Sequence, residues 1–181
     1  MKKLLVIALA FVGVMFIVLF ATIIIFPKKQ ITLINTYAKK YGLNSSLVAS
    51  VINIESGFDS DAVSDAGAMG LMQILPSTAK DCAKRMGIDD HSIDLFDPNT
   101  NINIGCFYLS YLLEMFDGNL ENALSSYNWG LGNVKDWIAR GNVDDNGTIK
   151  DIPISETRNY IKKFKVSEFV YKNIYKMDPK S

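Results

Sequence analysis

"NIESGFDSDAVSDAGAMGLMQILPSTA", residues 53–79, links the end of one helical pattern to the start of the next. It carries one glutamate, Glu55, and three aspartates, Asp59, Asp61 and Asp65. Glu55 falls four residues after Val51, three after Ile52 and seven after Val48, on the apolar face of the helix written by "SSLVASVINIESG". It lies in the last turn, where the partial negative charge of a helix C-terminus opposes ionisation. Partial burial opposes it as well. Both effects keep a proton on the carboxyl closer to neutral pH, as a general acid requires. The plainer alternative is an acid at the edge of the stripe with its head in solvent, and the helix alone favours that alternative.

The loop that follows alters the balance. Gly67 and Gly70 allow backbone geometry and close approach that larger residues forbid. Met69, Leu71 and Met72 are loop hydrophobes placed near a carboxyl, and Gln73 offers both a donor and an acceptor. An apolar wall with one amide suits a sugar ring bearing an N-acetyl group. Pro76 then opens the next helix.

The rest of the chain is expected to be all-α. "ITLINTYAKKY" is apolar at Ile31, Ile34, Ala38 and Tyr41 and stops at Gly42. Asn44 or Ser45 is the expected cap of the helix that Gly57 ends. "PSTAKDCAKRMG" closes at Gly87, and Asp97 before Pro98 caps a long helix with Ile102, Cys106, Leu109, Leu113 and Phe116 on one face. "NLENALSSYNWG", the short "NVKDWIARG" and a last helix from about Ser155 through "NIYK" complete the set. "TIKDIPI" reads as extended, with Pro153 limiting its pairing, and "GNVDDNGTIKD" is the one long loop.

Composition narrows the class. The chain has 181 residues, enough for one domain with a proper core. Lys plus Arg and Asp plus Glu number 19 each, which argues against a nucleic-acid partner. No charged residue occurs from Leu4 to Phe26. A run of that length predicts a transmembrane helix. A cleaved signal peptide would have a shorter apolar region, and Ala8-Leu9-Ala10 comes too early for its cleavage site. Residues 1–27 are therefore read as a membrane anchor and 28–181 as the domain, a single-pass arrangement with the domain on the extracytoplasmic side of the cell membrane. Lys2 and Lys3 before the run and Lys28 and Lys29 after it make the orientation signal weak. Cys82 and Cys106 show no metal-ligand spacing, so no metal or cofactor is implied. A disulfide between them is permitted outside the cell, but two small buried hydrophobes is the preferred reading. His91, in "DDHSID", is read as solvated surface.

Four ordered segments carry a resemblance. "ESGFDSDAVSDAGAMGLMQILPSTA", "LFDPNTNINIGCFYLSYLL", "SSYNWGLGNV" and "IPISETRNYIKKF" together resemble lytic transglycosylases of the soluble-lytic-transglycosylase type, over about residues 31 to 175. The resemblance implies a lysozyme-like helical domain acting on peptidoglycan glycan strands. It makes Glu55 the single catalytic acid and base. Ser56 matches the serine beside it, and Met72 and Gln73 match residues that line the sugar site. Tyr127 and Asn128 match a pair facing the cleft. Glu156 and Tyr160 match the closing motif, whose tyrosine is expected to hydrogen-bond near the catalytic carboxyl. Each has a plainer reading: Ser56 a helix-end hydroxyl, Tyr127 core, Glu156 a first-turn acid after a Ser155 cap. Trp129 stands where many relatives have alanine and either stacks on a sugar or packs inward.

The resemblance assigns Asp59, Asp61 and Asp65 no catalytic role, so they are read as turn formers. A single acid suffices if the substrate supplies the nucleophile, an exception to the two-carboxylate rule. Two rivals stand beside a lytic transglycosylase: a hydrolytic muramidase on the same fold, and a non-catalytic wall-binding component of an envelope-spanning apparatus. The sequence names no protein partner.

Overall fold

The computed structural model of the chain describes residues 2–89, 91 and 93–178. Eight α-helices follow one another among them: α1 (Lys2–Ile25), α2 (Ile31–Lys40), α3 (Ser45–Glu55), α4 (Pro76–Met86), α5 (Pro98–Met115), α6 (Leu120–Trp129), α7 (Leu131–Ala139) and α8 (Ser155–Phe169). The last helical run does not stay α-helical through "NIYK": a π-helical turn, Val170–Ile174, takes over after Phe169. Only isolated bridges replace strands among the described residues. One of them joins Val143 to Ile149, the place where the sequence looked extended.

Helix ends follow local chemistry at most positions. Asp97 accepts from the Thr100 N–H at 2.8 Å, with Pro98 in the first turn of α5. Asn119 caps α6 by accepting from the Asn122 N–H, and Gly87 ends α4 in the left-handed conformation. Of two expected caps, one fails. The other, Asn44, holds the N-cap position of α3 without the side-chain bond. Instead Asp178, from the far end of the chain, accepts from the Ser46 N–H at 2.8 Å and from its hydroxyl at 2.5 Å. Ser155 is the first residue of α8 and Ile154 its N-cap, without a side-chain bond.

α3 sits at the centre, packed against α2, α8 and the π-turn. Its residues Leu47 to Ile52 are all buried. Leu71, Met72, Ile102, Leu109, Leu124, Tyr160 and Phe164 surround it in one core. A small second cluster of Val134, Ile149 and Ile152 underlies the long loop, and Trp129 and Trp137 pack against it. Their rings meet edge to face, 6.2 Å between centroids, so Trp129 packs inward. Cys82 and Cys106 are buried free thiols, and burial pushes Cys82 up to about 11. His91 is exposed.

The N-terminal expectation is only partly met. α1 is a continuous helix, but among the described residues no helix is long and apolar enough to cross a membrane. The transmembrane span is thus not established by the structure.

Candidate active site

Glu55 is the last residue of α3, half-buried at the edge of the central core. Its carboxyl is raised from 4.5 to about 7, first by desolvation, and further by the charge of Glu156 on α8. The nearby Tyr160 hydroxyl works the other way and favours the anion. That hydroxyl is buried and makes no hydrogen bond of full geometry among the described residues. It lies beside Glu55 and addresses its carboxyl. Burial pushes the Tyr127 and Tyr160 phenols well above their usual range, and the Glu55 charge adds to both. Both hydroxyls therefore stay protonated at neutral pH.

The loop after α3 is held tightly, which gives a soft-looking sequence a fixed shape. The Ser56 hydroxyl donates to the Leu71 carbonyl at 2.8 Å, and the Tyr127 hydroxyl donates to the Met72 carbonyl at 2.8 Å. Asn101, wholly buried on α5, accepts from the Met72 N–H and donates to the carbonyls of Met69 and Leu95. Gly70 fits because it has no side chain: a Cβ there would stand 2.1 Å from the Leu95 carbonyl oxygen, at a φ of +73°. Gln73 adopts a left-handed φ of 47°, and its amide nitrogen holds the Ala62 and Gly70 carbonyls. Asp59 accepts from the Asp61 N–H, the turn-forming role expected of it.

The residues matched to the site thus divide. Glu55, Tyr127 and Tyr160 come together from α3, α6 and α8. Ser56 donates to the helix-end Ile52 carbonyl at 3.3 Å as well as to the Leu71 carbonyl of the loop. Met72 is fully buried, its side chain seated on Gly105 of α5, so it contacts the core and not an open surface. Asn128 accepts from the Thr157 hydroxyl at 2.7 Å, tying α6 to α8. Glu156 is exposed and acts through its charge. Asn101 was missed as a site residue. It opens the "NINIG" pattern in the sequence, but nothing local marks an asparagine that reaches across to a loop 29 residues earlier. Cavities of about 590 Å³ beside Asn119 and Asn146, and about 290 Å³ between α6 and α8, do not include Glu55. Among the described residues no cluster of His, Cys, Asp and Glu could hold a metal.

Fold and site define a helical domain built around one desolvated acid flanked by two tyrosines. Residues 32–149 match the Transglycosylase SLT domain, and the chain belongs to that family. It is 36% identical over 141 residues to the soluble lytic murein transglycosylase of Escherichia coli K12, covering 76% of this chain and 22% of that protein. It is 33% identical to the membrane-bound lytic murein transglycosylase C of Yersinia enterocolitica, over 80% of this chain and 47% of the relative. Among solved structures, an inactive glutamate-to-glutamine mutant of the lytic transglycosylase Slt from Pseudomonas aeruginosa superposes with a TM-score of 0.76 at 32% identity. That match covers 87% of this chain and 26% of the other. The complex of a 70-kDa soluble lytic transglycosylase with bulgecin A gives 0.75 at 34% identity, over 83% and 25%. The chain spans about a quarter of the length of the soluble relatives.

Proposed function

We propose that the chain is a peptidoglycan lytic transglycosylase that cleaves the β-1,4 bond between N-acetylmuramic acid and N-acetylglucosamine. The observation that carries the reading is Glu55, whose carboxyl burial pushes up to about 7 beside two phenols held well above their usual range. Protonated Glu55 gives its proton to the glycosidic oxygen as the bond breaks. The acetamido oxygen of the muramyl ring closes on its own anomeric carbon, forming an oxazolinium-like intermediate. Ionised Glu55 then removes the proton of the 6-hydroxyl, which attacks the anomeric carbon and displaces the acetamide. A 1,6-anhydro ring forms, no water is consumed, and Glu55 is protonated again. The acid's perturbed range suits both steps. The amide groups of Gln73 and Asn128 supply donors and acceptors for the sugar.

The decisive experiment is digestion of purified sacculi with mass spectrometry of the products. Anhydromuramyl ends are expected from the native chain and none from Glu55→Gln, with binding to sacculi retained. Reducing ends one water heavier would make the enzyme a hydrolytic muramidase. Unchanged lysis by Glu55→Gln would remove Glu55 from the chemistry.

The same proposal places the domain at the cell membrane, held by α1 on the extracytoplasmic side. The uncharged run from Leu4 to Phe26 and the exposure of Phe11, Phe16, Ile17 and Phe20 along the helix support this. Retention in the membrane pellet after alkaline carbonate washing tests the anchor, and release into the supernatant refutes it.

A further inference from the structure

We propose that the C-terminal end of α8 and its π-turn form a second membrane contact, a face that rests on anionic phospholipid headgroups beside the anchor. The proposal rests on the anchor reading above and adds that the domain lies down on the bilayer in one orientation.

Three observations support it. Val166, Phe169 and Ile174 are 59, 60 and 55% exposed, although each is a large apolar side chain. Val166 and Phe169 are one turn apart on the same face of α8, and the wider π-turn carries that face on to Ile174. The patch is also continuous with the end of α1. The Tyr171 hydroxyl donates to the Pro27 carbonyl at 2.8 Å, and its ring meets Phe26 edge to face. The Tyr175 hydroxyl reaches the Thr22 carbonyl at 3.4 Å. Thr22 lies four residues inside Phe26, about 6 Å along the helix axis. Tyr175 is therefore at the depth where interfacial tyrosines sit, and Ile174 is its neighbour in the chain. Finally, the charge around the patch is basic. Residues 162–176 contain five lysines and one acid, Glu168. Lys165 is paired with Glu121 at 3.0 Å, and Lys28 lies over the Tyr175 ring at 4.9 Å. Lys172 and Lys176 are exposed. An apolar patch rimmed by lysines fits an anionic bilayer surface.

The test uses the full chain reconstituted in phosphatidylglycerol-containing vesicles, with an environment-sensitive fluorophore on Phe169→Cys or Ile174→Cys. Cys82 and Cys106 are buried, so they compete little for the label. The exposed Val63, in the loop after Glu55, supplies a Val63→Cys control. Flotation with the vesicles, a blue shift at 169 and 174 and loss of iodide quenching there, with none at 63, is the expected result. The shift should shrink in zwitterionic vesicles. Flotation with water-like emission at both positions overturns the second contact and leaves the anchor standing. Failure to float overturns both.

Discussion

In the proposed reaction Glu55 gives up a proton in one step and recovers one in the next, and its surroundings pull its pKa in opposite directions. Burial and Glu156 raise its pKa, while Tyr160 restrains the rise. If the acid form starts the reaction, kcat/KM on soluble glycan fragments should fall as pH rises through about 7. Tyr160→Phe removes the group that favours the anion, so Glu55 should titrate higher. The alkaline limb then moves upward while kcat drops. A fall in kcat with an unmoved limb would mean that Tyr160 does not address Glu55. The same acid also weakens the fold at high pH. Its folded-state pKa lies above the unfolded value, so folding takes up a proton between pH 4.5 and about 7. Stability held below that window is lost as pH rises through it, by at most about 3 kcal/mol. Glu55→Gln is expected to gain up to that much in urea unfolding at pH 8 and almost nothing at pH 4, the opposite of what loss of a structural acid would do.

Among the elements, the loop between α3 and α4 depends most on distant parts of the chain. Its glycines, methionines and glutamine read as soft in sequence, yet Asn101 of α5 satisfies two of its backbone groups, at Met69 and Met72, and ties them to the Leu95 carbonyl before α5. Asn101→Ala leaves those groups buried and unpaired, and should cost roughly 3–5 kcal/mol in chemical unfolding. Gly70→Ala drives a Cβ into the Leu95 carbonyl at a left-handed φ and should cost about 3 kcal/mol. Helix starts and stops that rest on adjacent residues, such as Asp97–Pro98 and Gly87, were legible because their chemistry is local. The cap of α3 was not, since Asp178 arrives from 132 residues away. Met72 shows the same limit in the site. The family pattern marks its position, but only the packing on Gly105 shows that its side chain belongs to the core. The stripe that placed Glu55 at the core's edge was readable from the spacing of Val48, Val51 and Ile52. Its desolvation depends on α6 and α8, which no local pattern supplies.

At the scale of the molecule, a chain of aromatic contacts runs from the end of α1 to the loop that follows Glu55. Tyr171 is wholly buried at its centre, with Phe26 on one side, Phe58 6.2 Å away on another and Tyr175 at 5.6 Å. Phe58 itself holds a left-handed φ of 66°, three residues after Glu55. The aromatic packing and the hydrogen bond to Pro27 can be separated. Tyr171→Phe keeps the ring contacts and loses only the bond to the Pro27 carbonyl, so unfolding should cost about 1 kcal/mol. The pH profile of activity should not move, in contrast to Tyr160→Phe, because the Tyr171 hydroxyl points toward α1 and not toward Glu55. Tyr171→Ala empties the space between Phe26, Phe58 and Tyr175 and should cost about 3–5 kcal/mol. If Tyr171→Phe shifted the alkaline limb as far as Tyr160→Phe does, the anchor end and the acid would be coupled through Phe58, and the domain could not be treated as independent of its N-terminal helix.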